Sequence, residues 1–445
     1  MKSRFLLSFL LLALVCCAGL FVHFPDEIAG GNTVQPADIA WMLTASGLVL
    51  LMTPGLSFFY GGMVSKKNII STMLQSFIAL GVITVLYVLV GFSLCFGNSF
   101  HGIIGNPFQF FLFKNVGLNT HPTLSPTIPL LLFAIFQLKF AIITPALITG
   151  SFAERVKFNA YLLFICLFSI FIYCPLAHWT WHPDGFLHQW GVLDFAGGTV
   201  VHMSAGFAAL AGAIMLGQRR SFSDNKHTEP ANIPFVILGT GMLWFGWFGF
   251  NAGSSLGANT TAILAFSTTV VASASAMLGW IFFDAARGKK VSAMGACIGA
   301  VVGLVAITPA AGYVTIPHAL FIGFIAAIIS NLAVRAKNRS SLDDTLDVFP
   351  CHGVGGIAGM VLTGIFARPS GLFYGSTTVF WYHLLALVIV SVFTFGGSFL
   401  LYKITDLIVP LRVSHDEEIT GLDFSQHGET YKLKKPVSVK SEVRD

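Results

Sequence analysis

The chain has 445 residues, of which 55% are hydrophobic and only 10% charged, with a mean hydropathy of +0.78. A soluble domain carries near a quarter charged residues, so a soluble enzyme, a nucleic-acid binder and a disordered protein are excluded. The net charge of +5 matters less than its placement, because the charges cluster between charge-free runs such as 39–65, 68–113, 230–283 and 369–402.

In chain order, residues 1–18 read as a cleaved secretory signal peptide. Lys2 and Arg4 precede an apolar run over 5–15, and small residues place the cleavage after Ala18. An uncleaved first helix is the alternative. Acidic Asp26, Glu27 and Asp38 follow, which puts the mature N-terminus outside. Runs long enough to span a bilayer, roughly 20 apolar residues each, then fall at 38–60, 68–96, 127–150, 158–178, 196–217, 232–254, 260–286, 292–309, 316–335, 349–367 and 379–404. Alternate loops hold thirteen basic residues, from Lys66 and Lys67 to Arg335, Lys337 and Arg339, against Lys114 and Arg368 in the others. That bias sets the C-terminus inside. The expected fold is an all-α polytopic membrane protein with eleven transmembrane helices. The 45 glycines fit a tight bundle, since small residues let helix backbones approach.

His202 and His352 lie 150 residues apart, in the fifth and tenth spans. Each has a glycine four positions later (Gly206, Gly356) and an aspartate shortly before (Asp194, Asp347). This weak repeat predicts two inverted five-helix units plus one further helix, a plan common among transporters. An ionisable residue inside a span is a functional candidate. A core histidine bonded to a carbonyl is the commoner fate of a lone one, but two at matched positions favour a pore role. The aromatic residues Phe136 and Phe140 are four apart, as are Phe250 and Ser254, with Trp247 three before Phe250. With Trp181 near acidic Asp184 and Asp194, they could hold a small cation against aromatic faces. Seven cysteines without a CxxC pair read as structural thiols, with no disulfide framework and no metal cluster.

The runs DFAGGTVVH at 194–202, GWFGFNAGS at 246–254 and DVFPCHGVGG at 347–356, with FFYGG at 58–62 and AER at 153–155, resemble the signatures of the ammonium transporter (Amt/Mep/Rh) family. The resemblance runs from about residue 36 to about 431, and Trp181 places it nearer the Amt branch than the Rh proteins. It implies a multi-pass protein of the plasma (inner) membrane, a homotrimer with one pore per subunit, ammonium or ammonia as substrate, and no cofactor or metal. By motif, Phe140, Trp181 and Ser254 match the outer recruitment site, with Phe136 one turn away. Phe140 and Phe250 match the gate, His202 and His352 the twin-histidine pair, and Asp194, with Trp247, the supporting residues. The membrane domain is expected over 36–405 and a cytoplasmic regulatory tail over 406–445. A PII-type signalling protein could dock on the inner face, and Lys432, Lys434 and Lys435 could meet membrane lipid.

Lys139, beside Phe140, departs from the family pattern and is expected to snorkel to the outer interface. Three rival classes compete. A metalloenzyme using His178, His182, His188 and Asp184 lacks an HExxH motif, and Pro183 breaks the helix. A water or glycerol channel lacks its NPA-type loops. An ammonium sensor on the same fold would bind the ion with little flux.

Overall fold

The computed structural model describes residues 2–22, 34–224 and 229–431. Among these, ten helices are long and apolar enough to cross a membrane. In chain order the bundle comprises α1 (Lys2–Gly19), α2 (Pro36–Met63), α3 (Ile69–Phe96), α4 (Leu130–Ile148), α5 (Phe158–Phe168) continued by α6 (Cys174–Trp181), α7 (Gly198–Leu216), α8 (Ile233–Gly253), α9 (Thr260–Ala286), α10 (Ala293–Ile307), α11 (Ile316–Asn338), α12 (Phe349–Phe366) and α13 (Thr378–Ile408). Two short helices follow, α14 (His415–Thr420) and α15 (Leu422–His427).

Each expected span has a helix at its place, but α10, with 15 residues, is short. At 1.5 Å per residue it covers about 22 Å. It is buried on all sides from Gly299 to Ile307, as a helix apolar all round must be. Thr308, still in the helical conformation, caps it, and Pro309, which has no N–H to donate, does not continue the ladder. The apolar residues of α1, such as Phe9 and Leu14, are exposed.

Helix starts follow the sequence. The side chains of Asn232, Asn259, Ser292 and Thr315 accept the first free backbone N–H groups of α8, α9, α10 and α11. Glycine then decides how near two helices come. A Cβ at Gly239 of α8 would lie 2.6 Å from the carbonyl oxygen of Gly55 in α2, so only glycine permits that crossing. Cys95, Cys174, Cys297 and Cys351 are buried, and no cysteine among the described residues is in a disulfide.

The two faces of the bundle differ. One bears two small antiparallel hairpins, Ser99–Phe100 with Ile104–Gly105 and Thr120–His121 with Ser125–Pro129, and opens into a cavity. The other, here the tail face, gathers the basic loops. Arg219 bridges Glu154 and Asp343, at 2.9 Å each. Burial pulls the neighbouring Arg155 guanidinium down to about 10, with Asp343 opposing. Arg155 nevertheless donates to Thr345 and to the carbonyl oxygen of Asp343.

The tail packs on this face. The Lys157 N–H donates to the Leu411 carbonyl, and Val413 N–H to that of Arg155. Ser414 and Glu417 form a capping box that starts α14. The Glu418 carboxylate accepts from Arg412 and from the backbone N–H of Arg220, while Lys67 donates to the carbonyls of Glu418 and Ile419. The last described residue of the tail, Tyr431, lies against Asn232 and Phe235 at the start of α8. Lys432, Lys434 and Lys435, and the expected end of the tail, lie outside the described residues.

Candidate functional site

The opening turns of α7 and α12, Gly198–Met203 and Phe349–Val354, are π-helical rather than α-helical. Such turns are rare and frequent at functional sites. Each carries one of the histidines, and each is held by an aspartate just before it. Asp194 Oδ1 accepts from the N–H groups of Gly197 and Gly198, and Oδ2 from the N–H and hydroxyl of Thr199. Asp344 Oδ1 accepts from Val348 N–H, and Oδ2 from Phe349 N–H.

This corrects the expected pairing of Asp194 with Asp347. The counterpart of Asp194 is Asp344, at the same 150-residue offset as the histidines and bonded to the same fourth and fifth N–H groups after it. Asp347 turns instead to Lys337, at 2.7 Å. Burial, with Asp347 nearby, pushes the Asp344 carboxyl up to about 6.

The two π-helical turns meet where α7 has no side chain. A Cβ at Gly206 would collide with the backbone of Gly353. His202 and His352 consequently face each other, with Nδ1 atoms 3.3 Å apart and ring centroids 5.4 Å apart at 28°. Both are buried. In that contact one neutral imidazole donates and the other accepts, and His202 Nε2 has no partner among the described residues.

From His202 the aromatic rings lead toward the cavity. Trp247 stacks on it at 5.4 Å, with its indole N–H on the Thr308 hydroxyl at 2.9 Å, and Phe250 follows at 6.0 Å. Phe250 lies 4.2 Å from Phe140, which meets Trp181 edge-on at 5.7 Å. Phe140 and Phe250 are buried, and their rings stand between the cavity and His202. Beyond them lies a cavity of about 530 Å³ whose wall includes Phe140, Trp181, Ser254, Asp194, Gln137 and Thr180. The Ser254 hydroxyl donates to the Phe250 carbonyl at 2.9 Å, which leaves its oxygen able to accept.

Phe136 is placed differently from the other expected recruitment residues. Fully buried, it packs edge-on against Phe140 at 5.0 Å and supports that ring from behind, outside the cavity wall. Lys139 is half-buried and does not line the cavity; Phe133, Gln137 and Phe140 form the face of α4 that does. The histidines of the metalloenzyme reading have other bonds. His178 reaches the Ser99 hydroxyl at 2.7 Å and the Cys95 carbonyl at 2.8 Å, and stacks on His182. Among the described residues no group of histidine, cysteine and acidic side chains could hold a metal ion.

Two residues of this architecture escaped the sequence reading. Asp344 was available from the 150-residue offset. His383, an ionisable residue inside the apolar run 379–404, carried the same cue as the pore histidines.

A helical bundle that crosses the membrane, with an aromatic cavity leading to two buried histidines, defines a membrane transport protein. The chain belongs to the ammonium transporter family: the sequence profile described as Ammonium Transporter Family matches residues 40–432. An ammonium transporter of Aquifex aeolicus is 46% identical over 407 residues, covering 90% of this chain and 92% of that one. The crystal structure of Mep2 from Saccharomyces cerevisiae superposes with a TM-score of 0.83 at 32% identity, covering 91% and 93%. A structure described as a sensor Amt protein superposes at 0.81 with 31% identity, covering 88% and 98%.

Proposed function

We propose that this chain carries ammonium across the plasma (inner) membrane through a pore within each subunit. The cation is taken up at Trp181, Phe140 and Ser254, gives a proton to water in the outer cavity, and passes the gate of Phe140 and Phe250 as ammonia to His202 and His352. The observation that carries this reading is the unbroken series of rings from cavity to histidines, with centroid separations of 5.7, 4.2, 6.0 and 5.4 Å.

The chemistry follows from the surroundings. An aromatic face attracts a small cation by roughly 0.5–1 kcal/mol when exposed and about 2 or more when desolvated. Burial disfavours a charged amine and lowers its pKa, for a lysine by up to about 3–5 units. Ammonium entering an apolar passage can respond in the same way, by releasing its proton. Potassium has no proton to release and must meet the full cost of desolvation. Past the gate, imidazole nitrogens offer ammonia both a donor and an acceptor.

The rest of the architecture extends this proposal. With α10 completing an eleventh crossing, the cavity face lies outside and the tail face inside, as the basic loops favour. The shared geometry of Asp194 with His202 and Asp344 with His352 supports two inverted five-helix units. The exposed apolar side chains of α1 fit a leader cleaved after Ala18, ahead of a membrane domain over 36–405 and a regulatory tail over 406–445. We assign a homotrimer and an inner-face contact with a PII-type signalling protein on family resemblance. The likeness to a sensor Amt protein favours a second reading, ammonium sensing with little flux. Uptake of radiolabelled methylammonium in cells lacking their own carriers separates the two. Saturable uptake is expected, and its absence with intact ammonium binding would favour the sensor.

A further inference from the structure

His383 lies in α13, fully buried, and takes no part in the series of rings. Its imidazole joins two parts of the site that are far apart in sequence. Nε2 lies 2.9 Å from the backbone nitrogen of Leu193 and accepts its N–H. Nδ1 lies 2.9 Å from the Met360 carbonyl oxygen in α12. A backbone N–H only donates and a carbonyl only accepts, so the ring is neutral with its proton on Nδ1. The close packing of α13 on α12 depends on Gly364, where a Cβ would stand 3.2 Å from the His383 ring.

Leu193 immediately precedes Asp194, the residue on which the outer site is built. The Asp194 carbonyl oxygen accepts the Trp181 indole N–H at 3.1 Å, while its carboxylate holds the start of α7. The peptide on one side of Leu193 is thereby tied to α13, and the next residue to Trp181 and α7. We propose that His383 is a positioning residue for the outer cation site. By accepting the Leu193 N–H it fixes the Asp194 carbonyl against which the Trp181 indole is set. It touches neither the pore histidines nor the two gate rings, so its loss is expected to weaken capture of the cation and to leave the maximal rate nearly unchanged. A protonated ring would oppose one N–H to another and lose this bond.

The inference rests on the reading of Trp181 as part of a recruitment site, and the test separates the two. In the full chain, reconstituted in liposomes, His383→Gln carries an amide to the place of Nε2 and can still accept from Leu193. His383→Asn carries it to the place of Nδ1, where it can still donate to Met360 but not reach Leu193. We expect His383→Gln to keep the apparent KM for methylammonium within about twofold of wild type. His383→Asn should raise it about tenfold, the scale of one buried hydrogen bond, with the maximal rate little changed. Hydrogen exchange of the Leu193 amide should quicken in His383→Asn alone. Equal behaviour of the two variants in KM and exchange, a loss of maximal rate at unchanged KM, or failure of both to assemble would overturn the proposal. Absence of saturable uptake by the wild-type protein would instead remove the transport reading, and the exchange comparison would still test the Leu193 bond.

Discussion

The two histidine-bearing turns share one local design in different surroundings. Gly198–Met203 and Phe349–Val354 are both π-helical, both follow an aspartate eight residues before the histidine, and both use that carboxylate to satisfy the first N–H groups of the helix. Asp194 accepts four bonds and sits in the wall of the aromatic cavity. Asp344 accepts two and lies near the tail face beside the Lys337–Asp347 pair. A backbone device can thus be repeated while the chemistry around it diverges. The first aspartate stands in the wall of the aromatic cavity, and the second is a buried carboxylate whose charge is only marginally supported.

The comparison breaks most visibly at the aspartates. Asp194→Ala removes four accepted bonds and leaves buried N–H groups without partners, each costing about 1–3 kcal/mol. We expect a loss on the order of 5 kcal/mol or failure to assemble, read as the thermal midpoint and the yield of folded protein in detergent. Asp344→Ala should cost about half as much.

The second prediction concerns pH. Because burial raises the folded-state value of Asp344 to about 6, the folded protein holds this proton after the unfolded chain has released it near about 3.9. The contribution of this carboxyl to stability is therefore greatest below about pH 4 and falls as the pH rises through about 6. Asp344→Asn lacks the titration. The stability of wild type relative to this variant should fall by about 2 kcal/mol between pH 4 and 7. A constant gap across that range would show that the carboxyl titrates normally.

Two smaller effects probe the cavity. Trp181→Leu removes the aromatic face proposed to meet the cation, and a cation–π contact of about 1–2 kcal/mol predicts a rise of about 5- to 30-fold in apparent KM for methylammonium. Unchanged kinetics would leave Trp181 an ordinary interfacial aromatic residue. Lys139→Ser should change affinity less than about twofold, because Lys139 stands outside the cavity wall. A marked gain in affinity that fades at high salt would place its charge in the cavity.

Much of this architecture was legible in the sequence because membrane spans obey one strong constraint, the internal satisfaction of backbone hydrogen bonds in lipid. Apolar runs between clusters of charge located the helices from α2 to α13 to within a few residues, including the short α10. Glycine content pointed to close packing, and the spacing of Phe136, Phe140, Phe250 and Ser254 gave their helix faces. What periodicity could not convey was the π-helical winding at His202 and His352, since a π-helical turn departs from the 3.6-residue period that a sequence pattern follows. Nor could it show that Phe136 lies behind Phe140, or that His383 reaches Leu193 across 190 residues. Those are tertiary contacts, and one sequence records no distance.

The central claim is that ammonium crosses through the line of rings ending at His202 and His352. Its most direct test is flux and current through the full chain in planar bilayers under an ammonium gradient, with a potassium gradient as control. Wild type, His202→Ala and His352→Ala are to be measured side by side after confirming equal assembly. The account predicts ammonium-dependent flux that potassium does not evoke, with slower flux or lost discrimination against potassium in both variants. Unchanged rate and selectivity in both variants would contradict it.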